Sequence, residues 1–346
     1  MSHRYPAVEV HRFAGAPGEV LVLAGVHGSE RAGVEVARRL IGALRNGPPR
    51  RRAVAVVPTL FAANVAGAER AFRTRLTSAD PADWPDDPTG RRTTLADGTP
   101  YRDPNRNMPP IGWCHRSSQL RDALGFAIEA ENLVVLDLVA QLRPALIVSI
   151  HGIRRVEDVN IASRGRLNLP GVFVDPVTDL ALELTRANHQ ELPPVAEIDR
   201  LALDAAARIS ERQHDLAGRG LVAGDNGDLR DDWVVGNWLQ STRPTARYAR
   251  PNSVDEGVSL GEWGSRAVLH SSRYGLDRPG IPIVTVEVRG YYTSADCTSG
   301  AAMNAGLRSR KPVAWMHDQG HRRGLELQAH ADAIADVFLD RDDVPF

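Results

Sequence analysis

Hydrophobic residues fall into four short continuous runs, separated by stretches of helical period or by polar, proline-rich chain. The first run, Glu19-Val-Leu-Val-Leu-Ala-Gly25, predicts a strand buried on both faces. After the turn Val26-His-Gly-Ser29, the residues Val34, Ala37, Leu40, Ile41 and Leu44 recur at helical spacing, with arginines on the other faces. Ser29 is the expected N-cap, and Gly47-Pro48-Pro49 the expected stop. Ala53 to Val57 predicts a second strand, ended by Pro58. Strand, helix and strand within so short a span mark an α/β unit.

The stretch from Pro58 to Gly112 is irregular and rich in Pro, Asp, Thr and Arg, the composition of a long functional loop. Leu120 to Leu142 carries a helical pattern, and Ala145 to Ile150 predicts a third strand. Leu180 to Leu192 and Ile198 to Leu216 are expected helices. Gly218 to Gly261, rich in Gly, Asp, Asn, Trp and Arg, is expected to be an elaborate loop or small subdomain. Ile281 to Val288 predicts a fourth strand, and Leu325 to Leu339 a closing amphipathic helix. The fold class expected is therefore α/β, with a central mixed, mostly parallel sheet flanked by helices.

Chemistry enters at the ends of these strands. His27 and Glu30 follow the first, His151 follows the third, and Glu287 lies at the end of the fourth. In open α/β sheets ligands gather beyond the carboxyl ends of the strands. Parallel neighbours would bring all four side chains to one crevice. Two His and one Glu form a catalytic zinc set that leaves a position for water; carboxypeptidase A is the standing example. A further carboxylate must then take the water proton and pass it to the leaving amine. Glu287 suits that role, with Glu30 as the ligand. Glu256 and Glu262 rank below it, because neither lies in an apolar strand.

Composition narrows the partners. The 42 basic and 43 acidic residues leave a net charge of -1, whereas a domain built around a nucleic-acid backbone is normally more basic. No stretch approaches the roughly 18 apolar residues of a membrane span. Met1 to Val10 has no apolar core segment of the kind a secretory signal carries. Cys114 and Cys297 are far apart in sequence and form no metal-type pair, so a reducing cytoplasm is the expected compartment. Lys311 is the only lysine among the basic residues. Arginine is the better carboxylate binder, because its planar fork makes two parallel hydrogen bonds.

Four motifs carry a family resemblance. Gly25-Val-His-Gly-Ser-Glu30 resembles the first zinc motif of the M14 zinc carboxypeptidase superfamily, including its succinylglutamate desuccinylase and aspartoacylase relatives. Asp103-Pro-Asn-Arg-Asn107 resembles that family's D-x-N-R-N element. Ser149-Ile-His-Gly152 resembles the segment with the last ligand, and Thr285-Val-Glu-Val-Arg289 the segment with the catalytic Glu. The four occur in family order between residues 25 and 289.

The resemblance implies one zinc ion per chain, bound by His27, Glu30 and His151. It implies that Glu287 is the general base and then the general acid, and that Arg106 polarises the carbonyl and stabilises the oxyanion. Asn105 would orient Arg106 or touch a substrate carboxylate. The family's second Asn-Arg pair is not found: Arg116 and Arg121 lie in the right region but lack the Asn, and Arg102, Arg154, Arg155 and Arg289 are other candidates for the substrate carboxylate. The family tyrosine is equally open among Tyr248, Tyr274, Tyr291 and Tyr292. The long separation of His151 and Glu287 suggests a lid or subdomain inserted at about 154–261 within a single catalytic domain of residues 1–346. The expected activity is zinc-dependent amide hydrolysis on a small or peptide substrate bearing a carboxylate. Removal of a C-terminal peptide residue is favoured, with deacylation of a small N-acyl amino acid as the alternative. A non-catalytic zinc or small-molecule binding protein is the remote third reading.

Overall fold

The computed structural model describes residues 8–28, 30–67, 103–110, 121–153, 171–174, 197–218, 257–265, 280–289 and 325–340. Its centre is a six-stranded sheet made of β1 (His11–Phe13), β2 (Ala16–Ala24), β3 (Arg52–Val57), β4 (Leu146–Ile153), β5 (Gly171–Val174) and β6 (Ile283–Arg289). The spatial order is β1-β3-β2-β4-β6-β5. The inner strands β3, β2, β4 and β6 run parallel, and each is one of the four apolar runs. The edge strands β1 and β5 are antiparallel to their neighbours. The sheet is thus mixed and mostly parallel, the fold class expected. Both edge strands escape that pattern: at three and four residues they are too short to show a period.

Alternation along the strands sorts the core into two halves. Val20, Val22 and Ala24 of β2, with Val148 and Ile150 of β4, face one side. There they meet α1 (Arg31–Asn46), α3 (Glu197–Gly218) and the C-terminal helix α5 (325–334), which continues as a π-helical turn at Ala335–Leu339. Leu21, Leu23 and Ile147 face the other side. There they meet α2 (Ala130–Leu142), the segment around Leu60, and Trp263 of α4 (Leu260–Ser265). Leu40 of α1 is fully buried, so Leu40→Ala would cost roughly 2–5 kcal/mol.

Three local expectations change. The helix expected from Leu120 begins at Ala130. Its intended first turns instead form a tight loop closed by an Arg121–Ala127 bridge. The Asp122 carboxylate accepts the Leu124 and Phe126 N–H groups, and Gly125 sits at φ 87°, a combination that favours a turn over a helix. The N-cap of α1 is Glu30, not Ser29, and its side chain caps nothing because both oxygens are turned elsewhere. Two pieces of the 154–261 stretch belong to the main layers: β5 extends the sheet, and α3 buries Leu201, Ala205 and Ile209 against it. The expected helix 180–192, Cys114, Cys297 and the four candidate tyrosines lie outside the described residues.

Candidate metal centre

The site forms where three parallel strands end. β2 closes at Ala24, and Gly25 turns the chain with φ 70°. A Cβ at Gly25 would stand 2.9 Å from the Thr59 Cα, so glycine fits both the turn and the close approach. The turn delivers His27 and then Glu30, the residue that opens α1. β4 lies beside β2, and β6 beside β4. In the β4–β6 register His151 pairs with Glu287, and Ser149 with Thr285. Paired residues of neighbouring strands share a face, so Glu287 stands one strand over from His151 at the same level. It is half-buried.

His27, Glu30 and His151 each offer one ligand atom, and these atoms all lie within 4.8 Å of one another. All three residues are buried. The Nδ1 atoms of the two histidines converge on the two oxygens of Glu30. His27 Nδ1 lies 2.8 Å from Oε1 and His151 Nδ1 lies 3.0 Å from Oε2. The Gly152 N–H also donates to Oε2, at 3.2 Å. The outer nitrogens are held as well. His27 Nε2 donates to Asp103 Oδ1 at 2.9 Å, and His151 Nε2 lies 2.9 Å from the buried Ser149 hydroxyl.

These contacts fix the protonation pattern. Ionised carboxylates only accept, so His27, facing one from each ring nitrogen, must carry both protons. Burial disfavours that charge, but Glu30 and Asp103 outweigh it and raise the His27 pKa to about 9. Glu30 is likewise held well below its usual range: burial opposes this, and the two imidazoles beside it prevail. Asp103 is lowered to about 2, again against burial, by His27, by the Arg106 charge and by the Asn105 N–H. The Nδ1–H of His151 donates to Glu30 Oε2, and the Ser149 hydroxyl, which can donate or accept, satisfies Nε2.

The donor set fits a divalent cation of zinc type. Two imidazoles and one carboxylate converge, and an outer carboxylate secures the Nε2 proton of His27, so that Nδ1, on giving up its proton, is the nitrogen that would bind. Asp103 is a residue of this cluster that the sequence pattern did not single out. Its signal was present, since the first residue of D-P-N-R-N is an acid of no stated role, but the contact spans 76 residues and has no periodicity to betray it.

The other expected site residues divide sharply. Asn105 and Arg106 lie on the 3-10 turn Pro104–Arg106, directly after Asp103. The Asn105 N–H donates to Asp103 Oδ1 at 2.8 Å, and Arg106 Nη1 to the Asn105 carbonyl at 3.3 Å. Arg106 is half-buried, near enough to Asp103 for its charge to be felt there. Arg102 and Arg154 lie outside the described residues. Arg289 ends β6 opposite Ile153, and its side chain is not among those described. Glu262 is engaged in a capping box, accepting the Ser259 N–H at 2.9 Å while its own N–H donates to Ser259 Oγ. Among the described residues no helix is long and apolar enough to cross a membrane.

No family model and no curated protein matches the chain. Solved structures do. The product-bound cell shape determinant protein Csd4 of Helicobacter pylori is 11% identical with a TM-score of 0.43, over 98% of this chain and 58% of its own. The murein-tripeptide amidase MpaA of Escherichia coli O157 is 18% identical with a TM-score of 0.34, over 85% of this chain and 83% of its own. An aspartoacylase family protein of Mesorhizobium loti is 18% identical with a TM-score of 0.30, over 52% of this chain and 43% of its own. The chain thus spans about three-fifths of the length of Csd4. All three TM-scores lie below 0.5.

Proposed function

We propose that the chain is a zinc-dependent hydrolase of amide bonds, which removes the C-terminal residue of a peptide or peptide-like substrate. One observation carries this reading. Two buried imidazoles and a buried carboxylate converge within 4.8 Å, with a second carboxylate, Glu287, in register with His151 on the neighbouring strand. Zinc held by His27, Glu30 and His151 would supply a Lewis acid for the scissile carbonyl and acidify a water molecule.

The chain's own residues do the rest. The Glu287 carboxylate takes a proton from the attacking water and returns it to the leaving nitrogen. Its half-buried position at a strand end lets it meet substrate while limiting hydration. Arg106 offers a forked cation to a substrate oxygen carrying negative charge. Asp103 keeps the Nε2 proton of His27 in place and so orients that ring. Asn105 holds the Asp103 carboxylate from the backbone side. Arg102, Arg154 and Arg289 remain the proposed further contacts for a substrate carboxylate, and the parts of 154–261 outside β5 and α3 the proposed source of a cover.

The test is Glu287→Gln. Zinc content should be unchanged, while turnover falls about 10²–10⁴-fold. A variant that loads zinc and turns over normally would remove Glu287 from the mechanism. Assaying dipeptides beside N-acyl amino acids fixes the substrate class. Cleavage of the acyl compounds alone would make the enzyme a deacylase, and a zinc-loaded protein inert to every amide would make it a binding protein.

A further inference from the structure

A polar cluster that touches none of the three metal-site residues lies beneath the Asp103–Arg106 turn. Asn107, Asp122 and Asn132 are 0%, 3% and 2% exposed. Asn107 follows the turn, Asp122 lies in the 121–127 loop, and Asn132 is the third residue of α2. Asn107 Nδ2 donates to Asp122 Oδ2 at 2.9 Å and to the Ala127 carbonyl at 3.1 Å. Its Oδ1 accepts the Glu129 N–H at 2.6 Å and Asn132 Nδ2 at 3.3 Å. Asn132 Nδ2 also donates to the Pro104 carbonyl, at 2.9 Å.

Burying three polar side chains costs free energy unless each is satisfied, and an apolar residue would pack α2 equally well. The amide of Asn132 makes sense by what it reaches. Pro104 sits between Asp103, which holds His27, and Asn105-Arg106. The far side of the turn is closed too. Met108 N–H donates to the Val258 carbonyl at 3.1 Å. Gly257, at φ 83°, lies where a Cβ would come within 2.3 Å of the Arg106 carbonyl. The turn is therefore gripped from both sides by groups other than the three metal-site residues.

We propose that Asn132, acting through the Pro104 carbonyl and Asn107, is a positioning residue that holds the Asp103–Arg106 turn against His27. Its effect on turnover rests on the hydrolase reading above. Its effect on the His27–Asp103 contact does not.

The experiment compares Asn132→Ala with Leu136→Ala, which removes core packing one turn further along α2. Two quantities are read on the full chain. One is the NMR resonance of the His27 Nε2 proton in metal-free protein, assigned by its loss in His27→Gln. The other is the zinc dissociation constant by chelator competition. Asn132→Ala should shift or abolish the resonance and weaken zinc about 10–100-fold, the usual effect of disturbing an outer partner of a metal ligand. Leu136→Ala should lower stability and leave both unchanged. Asn132→Ser keeps a donor on a shorter arm and should fall between them; it is the variant scored if Asn132→Ala does not fold. An unaltered resonance in the folded Asn132 variant, or an equal change in Leu136→Ala, overturns the proposal. A wild-type protein that takes up no zinc would instead overturn the hydrolase reading, and the positioning role would be judged on the resonance alone.

Discussion

His27 and His330 are both buried, at 5% and 2% exposure, yet their surroundings drive them in opposite directions. His27 stands between two carboxylates and is raised to about 9. His330, in α5, donates Nδ1–H to a neutral carbonyl, that of Glu326, and burial lowers it to about 4. The same side chain at the same depth is charged in one place and neutral in the other. Burial alone therefore does not mark a functional histidine. What marks it is buried charge of the opposite sign, which the fold must hold against a desolvation cost.

The comparison breaks most visibly on truncation. His27→Ala should abolish zinc uptake and lower hydrolysis by at least about 10³-fold. His330→Gln should keep both, at some cost in stability. Metal content and turnover measured on the two purified proteins decide it. Zinc bound normally by His27→Ala would show that the cluster is not the metal site.

Titration separates the two residues next. In metal-free protein the folded-state pKa of His27, about 9, lies above its ordinary 6.5. Its contribution to stability is complete below pH 6.5 and is lost as pH rises through 9. For His330 the folded value, about 4, lies below 6.5, so the unfolded chain binds the extra proton between them. That contribution is complete above pH 6.5 and is lost as pH falls to 4. Each is on the order of 3 kcal/mol. Urea midpoints at pH 4.5, 6.5 and 9.5 should therefore peak near 6.5. His27→Gln should flatten the alkaline limb alone, and His330→Gln the acid limb alone. Limbs identical in variant and wild type would refute the assignment.

Much of this was legible in the chain, for a physical reason. The inner strands are buried on both faces, so they must be continuous apolar runs, and histidines and carboxylates at their ends stand out against that background. His27, Glu30, His151 and Glu287 could thus be read as one set before any geometry. What could not be read depended on contacts without period. β1 and β5 are short edges. Asp122 halts a helical pattern by accepting two backbone N–H groups, which no count of apolar residues registers. Asp103 and Asn132 act across long sequence gaps, through the imidazole of His27 in one case and a carbonyl in the other.

A subtler break removes the charge and keeps the shape. Asp103→Asn retains an acceptor for His27 Nε2 and discards the carboxylate. Zinc affinity should fall about 10–100-fold, the range found when an outer partner of a metal-binding His is altered. The alkaline limb of the metal-free protein should move to lower pH, because one of the two acids raising His27 is gone. A zinc dissociation constant unchanged by chelator competition would mean that Asp103 serves only the local turn through the Asn105 N–H.

The smallest effect tests whether burial is what gives these carboxylates their strength. Arg212 of α3 pairs with Asp336 and, at 3.7 Å, with Asp332 of α5, joining two helices across the surface. The Arg212 side chain is 36% exposed and the Asp336 side chain 41%, against 6% and 7% for the side chains of His27 and Glu30. Water screens the outer pairs, so Arg212→Ala should cost at most about 1 kcal/mol, and less in high salt. The alkaline limb set by His27 should persist in salt, because a buried pair is screened far less. Urea unfolding of wild type and Arg212→Ala in low and high salt makes the comparison. A large, salt-insensitive loss in Arg212→Ala would mean that this surface contact does more than join the outer faces of two helices, and the contrast between buried and exposed carboxylates would fail.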